Sequence, residues 1–190
     1  KRKTILSFIT GLFLLGGLSS CMDLDETVYD KLPADDFGQS TAELNALIGN
    51  SHNTMKKFWT EYMHLSECSG SMAVTPTRRG GDWYDGGLWQ NLFLHNWGTK
   101  NDLVKGSWDY LYKVIAQANQ SLDKLKEILE NNPENISVPK YISEVRAFRA
   151  MYYYYLLDMF ARVPLVTSSS VAMEDVVQSE RSAVFNFVRT

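Results

Sequence analysis

Cysteine is scarce in this sequence, which has two among its 190 residues. If Cys21 carries a lipid, Cys68 has no partner, so no disulfide framework exists. His64 and Cys68 are spaced i, i+4, but two side chains supply only half of the ligands that a four-coordinate zinc site needs. We therefore predict that Cys68 is a lone buried thiol, and we expect no metal and no cofactor.

Basic residues are outnumbered by acidic ones, 19 to 22. Residues 1–20 hold three of the basic side chains and no acidic one, so residues 21–190 carry 16 basic and 22 acidic side chains, a net charge of −6. Nucleic-acid binding requires basic patches, and so does adsorption to an anionic membrane surface. This balance predicts no nucleic-acid partner.

Two catalytic or nucleotide-binding signatures are incomplete. Gly80-Gly81 and Gly86-Gly87 lack the Gly-Lys-Ser/Thr of a phosphate loop, which argues against nucleotide binding. Asp82 and Asp85 could suggest the carboxylate pair of a glycosidase. Acidic residues in a glycine-rich turn more often bond backbone amides, however, so we predict that the chain is not an enzyme.

The hydrophobic run at the start of the chain is too short to span a bilayer, which takes about 20 residues. This uncharged run, residues 5–18, follows three basic residues and leads into Leu18-Ser19-Ser20-Cys21. That order is typical of a bacterial export signal and resembles a lipobox. We predict a signal peptide over 1–20 and lipidation of Cys21 with fatty acyl chains such as palmitate, which would hold the protein on a lipid bilayer. An ordinary signal peptide with an incidental cysteine is the alternative.

Residues 21–39 after the lipidated cysteine are acidic and polar, which predicts an extended tether. Ser40 and Glu43 fit a capping box, so a first helix is expected from there to about Tyr62. The chain begins with Lys rather than Met and ends inside a helical pattern. We interpret it as the N-terminal portion of a longer protein.

Helical periodicity is strongest over residues 102–130, where apolar residues recur every seven positions in two interleaved series. Pro139 suits the first turn of a following helix that runs to about Arg162. The short connection between the two helices predicts antiparallel neighbours. A last helix opens near Ser179. The predicted class is all-α, a stack of antiparallel helical hairpins.

Residues 66–101 are predicted to be a long loop, rich in glycine and tryptophan. A loop of this length in a compact domain is usually functional or disordered, and disorder suits so aromatic a segment poorly.

Four blocks of sequence resemble the SusD/RagB family. They comprise TRRGGDWYDGGLW at 77–89, GSWDYLY at 106–112, EVRAFRA at 144–150 followed by YLLDMF and VPL, and QSERSAVF at 178–185. The resemblance implies a tetratricopeptide-like scaffold, with residues 40–190 forming the N-terminal part of a SusD-like helical domain. The acidic residues Asp23, Asp25 and Glu26 resemble the family's surface export tag.

The same resemblance implies a function. Members of the family are outer-membrane lipoproteins that face the cell surface, bind glycans or oligosaccharides and deliver them to a TonB-dependent, SusC-like porin. The alternative is a helical scaffold or lid that binds no glycan and serves only the membrane transporter.

The candidate glycan contacts lie in the 66–101 loop. Aromatic rings there can cover the apolar faces of sugars, while acid and amide groups bond the hydroxyls. The candidates are Trp83, Tyr84, Trp89, Trp97, Asp82, Asp85 and Asn91. These rings could instead pack the loop onto the helices or contact the porin. Exposure of the tryptophans would favour glycan binding, and their burial would favour the scaffold.

Arg146 and Arg149 are expected to be structural, held by carboxylates such as Glu144 or Asp158.

Overall fold

The computed structural model describes residues 37–38 and 40–190, apart from the side chains of Lys57, Trp59 and Thr60. The five α-helices of this part are α1 (Thr41–Ser69), α2 (Leu88–Phe93), α3 (Asp102–Asn131), α4 (Val138–Phe160) and α5 (Arg181–Arg189). Short 3-10 turns cover Asp85–Gly87 and Met173–Asp175. In the described residues the only β-pairing is an isolated bridge between Pro164 and Gln178. The all-α prediction is confirmed.

The predicted signal peptide, Cys21 and all of the tether except residues 37–38 lie outside the described residues. None of the helices that the structure describes is long and apolar enough to cross a bilayer.

The capping box at the start of α1 is present. The Ser40 hydroxyl accepts a hydrogen bond from the Glu43 amide at 3.2 Å, and the Glu43 carboxylate accepts one from the Ser40 amide at 3.0 Å. The prediction that this helix ends near Tyr62 is wrong, because α1 continues to Ser69. Residues 44, 48 and 58 of this helix are buried on the two core clusters, and helix propensity is a weak guide where such packing is available.

Helix α3 presents the predicted apolar stripe to the core. Its N-cap is Asn101, whose side-chain oxygen accepts from the amides of Leu103 at 3.0 Å and Val104 at 3.3 Å. The fully buried positions of the stripe are Leu111, Ile115, Ala118, Leu122 and Leu125.

Helices α3 and α4 pack antiparallel, as predicted. Trp108 near the start of α3 meets Phe160 at the end of α4, with ring centroids 5.1 Å apart, while Ile128 and Val138 share a core cluster at the other end. Pro139 lies in the first turn of α4, which ends at Phe160 rather than at Arg162.

Helix α1 lies against both members of this hairpin and runs parallel to α4. Tyr141 near the start of α4 bonds Asn45 at 2.8 Å, and Asp158 near its end accepts from Tyr62 at 3.2 Å. The last turns of α1 and α4 therefore lie at the same end of the helical layer, next to the connection from α1 to α3.

The predicted partners of the two arginines are wrong. Arg149 is buried and donates to the Asn119 side chain at 2.7 Å and to the Thr167 carbonyl at 2.8 Å. Arg146 is exposed, and Glu144 pairs with His52 at 2.7 Å. The neutral amide and the carbonyl both bond Nη1 of Arg149, which needs no second buried charge, while Arg149 Nε has no hydrogen-bond partner among the described residues.

Candidate functional site

The connection between α1 and α3 is shorter than predicted and partly ordered into helix. It covers residues 70–101 and includes α2 and the Asp85–Gly87 turn. Gly80 and Gly81 have φ values of +102° and +79°, and Trp83 and Asp85 also have positive φ, +58° and +43°. Non-glycine residues rarely adopt this region, and such strain is found more often at functional sites than elsewhere.

Three aromatic side chains form what we call the aromatic platform: Trp83, Tyr84 and Trp89. The Trp89 indole Nε1 donates to the Asp85 carboxylate at 3.0 Å. The Trp89 ring meets Trp83 edge to face, with centroids 6.0 Å apart, and meets His64 of α1 at 4.6 Å. Trp89 therefore attaches the loop to α1 and supports Trp83 from one side.

The outer rings of the platform are open to solvent. Trp83 is 66% exposed and Tyr84 is 49% exposed, whereas Trp89 is half-buried. A shallow cavity of about 220 Å³ lies beside Trp83 and is also lined by Pro76, Arg78 and Asp82. An apolar ring face thus adjoins charged groups of both signs.

Gly87, between Tyr84 and Trp89 in sequence, has a φ of +85°. It is buried, and a β-carbon there would lie 3.6 Å from the Asn91 side-chain nitrogen and 3.9 Å from the Tyr84 hydroxyl. Gly87 is the N-cap of α2, and the Tyr84 and Asn91 side chains both lie next to it. Asn91 itself is half-buried.

Trp97 is separated from the platform. It is 43% exposed and lines a different cavity, of about 260 Å³, together with Tyr62 of α1 and Asp158 of α4. The two cavities share no lining residue. The predicted site residues therefore fall into two groups, one around Trp83 and one at Trp97.

Arg78, Tyr62 and Asp158 are among the residues that line these cavities without having been predicted as site residues. Arg78 lies within the block that carried the family resemblance, so its position beside Trp83 had a signal in the sequence. Tyr62 and Asp158 lie on two different helices, and only their packing brings them together.

Asp82 and Asp85 have different surroundings. Asp85 binds the Trp89 indole, and Asp82 lines the cavity beside Trp83. In the part of the chain that the structure describes, no group of three or more His, Cys, Asp or Glu side chains could hold a metal ion.

These features define a class of protein: an all-α scaffold of packed helices that carries an aromatic loop on its surface. A family model described as "Starch-binding associating with outer membrane" matches residues 24–189. The chain belongs to this SusD-like family, which is known for carbohydrate binding and for association with the outer membrane.

Two relatives support the assignment. The chain is 29% identical over 161 residues to SusD-like protein P2 of Formosa agariphila, a match that covers 83% of this chain and 30% of the relative. A solved structure titled "Laminarin binding SusD-like protein" superposes with a TM-score of 0.63 at 24% identity, over 77% of this chain and 32% of that one. This second match establishes the fold. The chain spans about 30% of the length of these relatives.

Proposed function

We propose that this protein binds glycans or oligosaccharides at the cell surface and delivers them to a TonB-dependent, SusC-like porin for uptake. The observation that carries the proposal is the exposure of Trp83 on a strained, hydrogen-bonded turn beside a polar cavity. Membership of the SusD-like family supports the ligand class.

The chemistry of the aromatic platform suits a sugar. A pyranose has an apolar C–H face that can lie on the Trp83 ring, and hydroxyls at its edge that Asp82 and Arg78 can bond. The hydrogen bond from Trp89 to Asp85 holds the supporting ring before the ligand arrives. A site that is already arranged loses less side-chain entropy when it binds.

The same geometry supports binding rather than catalysis. A glycosidase needs one carboxylate on each side of the scissile bond, separated by a set distance. Asp85 is engaged with an indole, so it is a positioning group for the platform. We propose no reaction for this protein.

The proposal includes the membrane anchor. Lipidation of Cys21 would place the protein on the outer membrane, with the acidic tether allowing the helical domain to face outward. Replacing Cys21 with alanine should move the protein into the soluble fraction and abolish labelling by a fatty-acid analogue. Equal labelling of both forms would refute the anchor.

Calorimetric titration of the full-length protein with maltoheptaose and laminarihexaose tests the ligand site. Trp83→Ala should weaken binding at least tenfold, about 1.4 kcal/mol. It should change the melting temperature by no more than about 2 °C, because the ring is exposed. The matched control is Ile136→Ala, which removes another large exposed side chain (82% exposed) outside the loop.

Three outcomes would contradict parts of the proposal. Failure of the wild type to bind either oligosaccharide rejects starch-like and laminarin-like ligands. Equal binding by wild type and Trp83→Ala removes the platform from the site. A large fall in melting temperature in Trp83→Ala shows that the ring is part of the core.

One observation favours the transporter scaffold as a second candidate. An apolar cavity of about 380 Å³ lies between α3 and residues 164–176, lined by Trp108, Tyr112, Val171 and Met173 among others. Exposed apolar patches often mark protein interfaces. If Met173→Glu prevents copurification with a coexpressed SusC-like porin while Trp83→Ala does not, this surface contacts the porin.

A further inference from the structure

We infer that Trp97 forms a second sugar-binding subsite, separate from the aromatic platform, and that it takes an uncharged pyranose unit of an oligosaccharide. The inference rests on the proposed function, because it assigns a further contact for the same class of ligand. It is carried by the cavity in which the Trp97 ring, the Tyr62 hydroxyl and the Asp158 carboxylate lie together.

The cavity lies where the last turns of α1 and α4 meet the 70–101 connection. Its volume of about 260 Å³ is just below the roughly 300–1,000 Å³ of pockets that hold drug-sized ligands. This size suits one sugar ring. Four helices and the Trp97 turn contribute to its wall, and α1 and α4 each supply both polar and apolar groups. The lining comprises Tyr62, Leu65, Ser66, Ser69, Leu92, Trp97, Val104, Asp158, Met159 and Phe160.

The Trp97 ring is supported on one side and open on the other. His95 meets it edge to face, with centroids 5.3 Å apart, and the His95 Nε2 donates to the Ser69 carbonyl at 2.7 Å. Since Ser69 ends α1, this bond joins the tryptophan turn to a helix of the scaffold. The ring remains 43% exposed, which is the arrangement that stacking on a sugar face requires.

The polar side of the cavity provides hydrogen-bond acceptors for hydroxyl groups. Asp158 accepts from the Tyr62 hydroxyl at 3.2 Å, and a carboxylate has about four acceptor sites. The Ser66 hydroxyl donates to the Tyr62 carbonyl at 2.8 Å, so its lone pairs can still accept. Burial, together with the Asp158 charge, raises the pKa of Tyr62, which keeps its phenol protonated.

The charge of the cavity selects among sugars. Asp158 is negative, and no Lys, Arg or His is among the described residues that line the cavity. A uronate or sulfated sugar would place like charges together without a cation between them. The ligand chemistry that fits is a neutral pyranose.

The subsite is distinct from the platform although α2 lies beside both. Trp89 at the start of α2 packs on His64, whereas Leu92 near its end lines the Trp97 cavity. An oligosaccharide could occupy either place without the other.

The test uses the tryptophan indole N–H signals in a ¹⁵N-correlation spectrum of the full-length protein, to which residues 1–190 contribute five tryptophans. Single Trp→Phe variants assign each signal. Maltoheptaose and laminarihexaose are then titrated separately into the wild type, Trp83→Ala, Asp158→Asn and the control Asp175→Asn. Signal dispersion reports whether each variant is folded, and Trp83→Phe replaces Trp83→Ala if the latter is not.

The expected result is a shift of the Trp97 signal with at least one sugar, in the wild type and in Trp83→Ala. Asp158→Asn should weaken that response about fivefold, because a hydrogen bond to a charged group is stronger than one to a neutral amide. Asp175→Asn should leave it unchanged.

Other outcomes overturn one idea or both. If the Trp83 and Trp89 signals move while Trp97 does not, the second subsite is absent and the proposed function stands. If the Trp97 signal moves only in proteins that retain Trp83, the Trp97 cavity and the aromatic platform are not separate subsites. If the Trp97 signal is the only one that moves, the aromatic platform is not a ligand site. If no signal moves, both ideas fail.

Discussion

Arg149 shows how single polar residues are accommodated inside this fold. It is 9% exposed and bonds Asn119 of α3 and the Thr167 carbonyl beyond α4, while its guanidinium lies 5.3 Å from the Phe187 ring of α5. Arg149 of α4 therefore links this helix to α3, to the segment that follows α4, and to α5. Its neighbour Arg146 is exposed, so two arginines on one helix have different environments.

Arg149→Met should destabilise the protein by about 1–3 kcal/mol for each buried acceptor that loses its donor. Arg146→Met is the control and should stay within about 0.5 kcal/mol, as at most surface positions. Urea unfolding followed by circular dichroism measures both. Equal midpoints for the two variants would show that Arg149 is not needed for stability.

Cys68 should be unreactive in the folded protein. It is a free cysteine and only 7% exposed, and burial, with a smaller effect of Glu67, raises the pKa of its thiol. Fewer thiolates are then present at pH 8 than for an ordinary cysteine. Its reaction with a disulfide reagent at pH 8 should be slow in buffer and fast in urea. Comparable rates would place the thiol at the surface.

At the scale of elements, α3 organises the domain, because both other long helices pack against it. Its buried stripe contacts residues of α1 and α4 in two clusters, one near Leu122 and one near Leu111. Interruption of this stripe would therefore weaken two interfaces together.

Leu122→Ala should cost about 2–5 kcal/mol, because the side chain is 1% exposed and leaves a cavity. Leu129→Ala, one heptad later at a partly buried position, should cost less. Denaturant unfolding of both variants tests the expectation. A loss below about 0.5 kcal/mol for Leu122→Ala would place this residue outside the core.

At the scale of the whole molecule, the segment after α4 is held to the helices by the buried Val163 and by polar side chains. Tyr153 donates to the Val166 carbonyl at 2.9 Å, and Tyr112 donates to the Pro164 carbonyl at 2.8 Å. Asp123 accepts from both the amide and the hydroxyl of Ser169, at 3.0 and 2.6 Å. The Asp123 carboxylate is ionisable, so the stability that its bonds to Ser169 provide depends on pH.

Burial acts to raise the pKa of Asp123, but the bonds from Ser169 and the nearby cations outweigh it, and the net pKa is lowered. Because the folded pKa lies below the unfolded value of about 3.9, the stabilisation is present above pH 4 and is lost as the pH falls through the folded pKa. The stability difference between wild type and Asp123→Asn should therefore be constant from pH 7 to 5 and shrink below pH 4.

Chemical denaturation between pH 7 and 3 measures this difference, with Asp175→Asn as an exposed control that should show little change. A difference that grows as the pH falls would contradict the assigned role of Asp123.

Much of the helical fold could be predicted because its signals are local. The seven-residue recurrence in α3, the capping box at Ser40 and Pro139 in the first turn of α4 each depend on neighbouring residues alone. The end of α1 could not be predicted in this way, because its continuation to Ser69 accompanies packing against residues far away in sequence. Likewise α2 is only six residues long, too short to show a helical period.

The sequence by itself determined the all-α class, the antiparallel hairpin and the stretch in which the tryptophans gather, because periodicity, caps and composition are properties of adjacent residues. Tertiary structure alone decided which rings face solvent, why Trp83 is exposed while Trp89 supports it, and why Trp97 lies apart from both. It also placed Tyr62 beside Asp158 and Arg149 beside Asn119. These pairings join residues on different helices, and only the packing of the helices sets the distances between them.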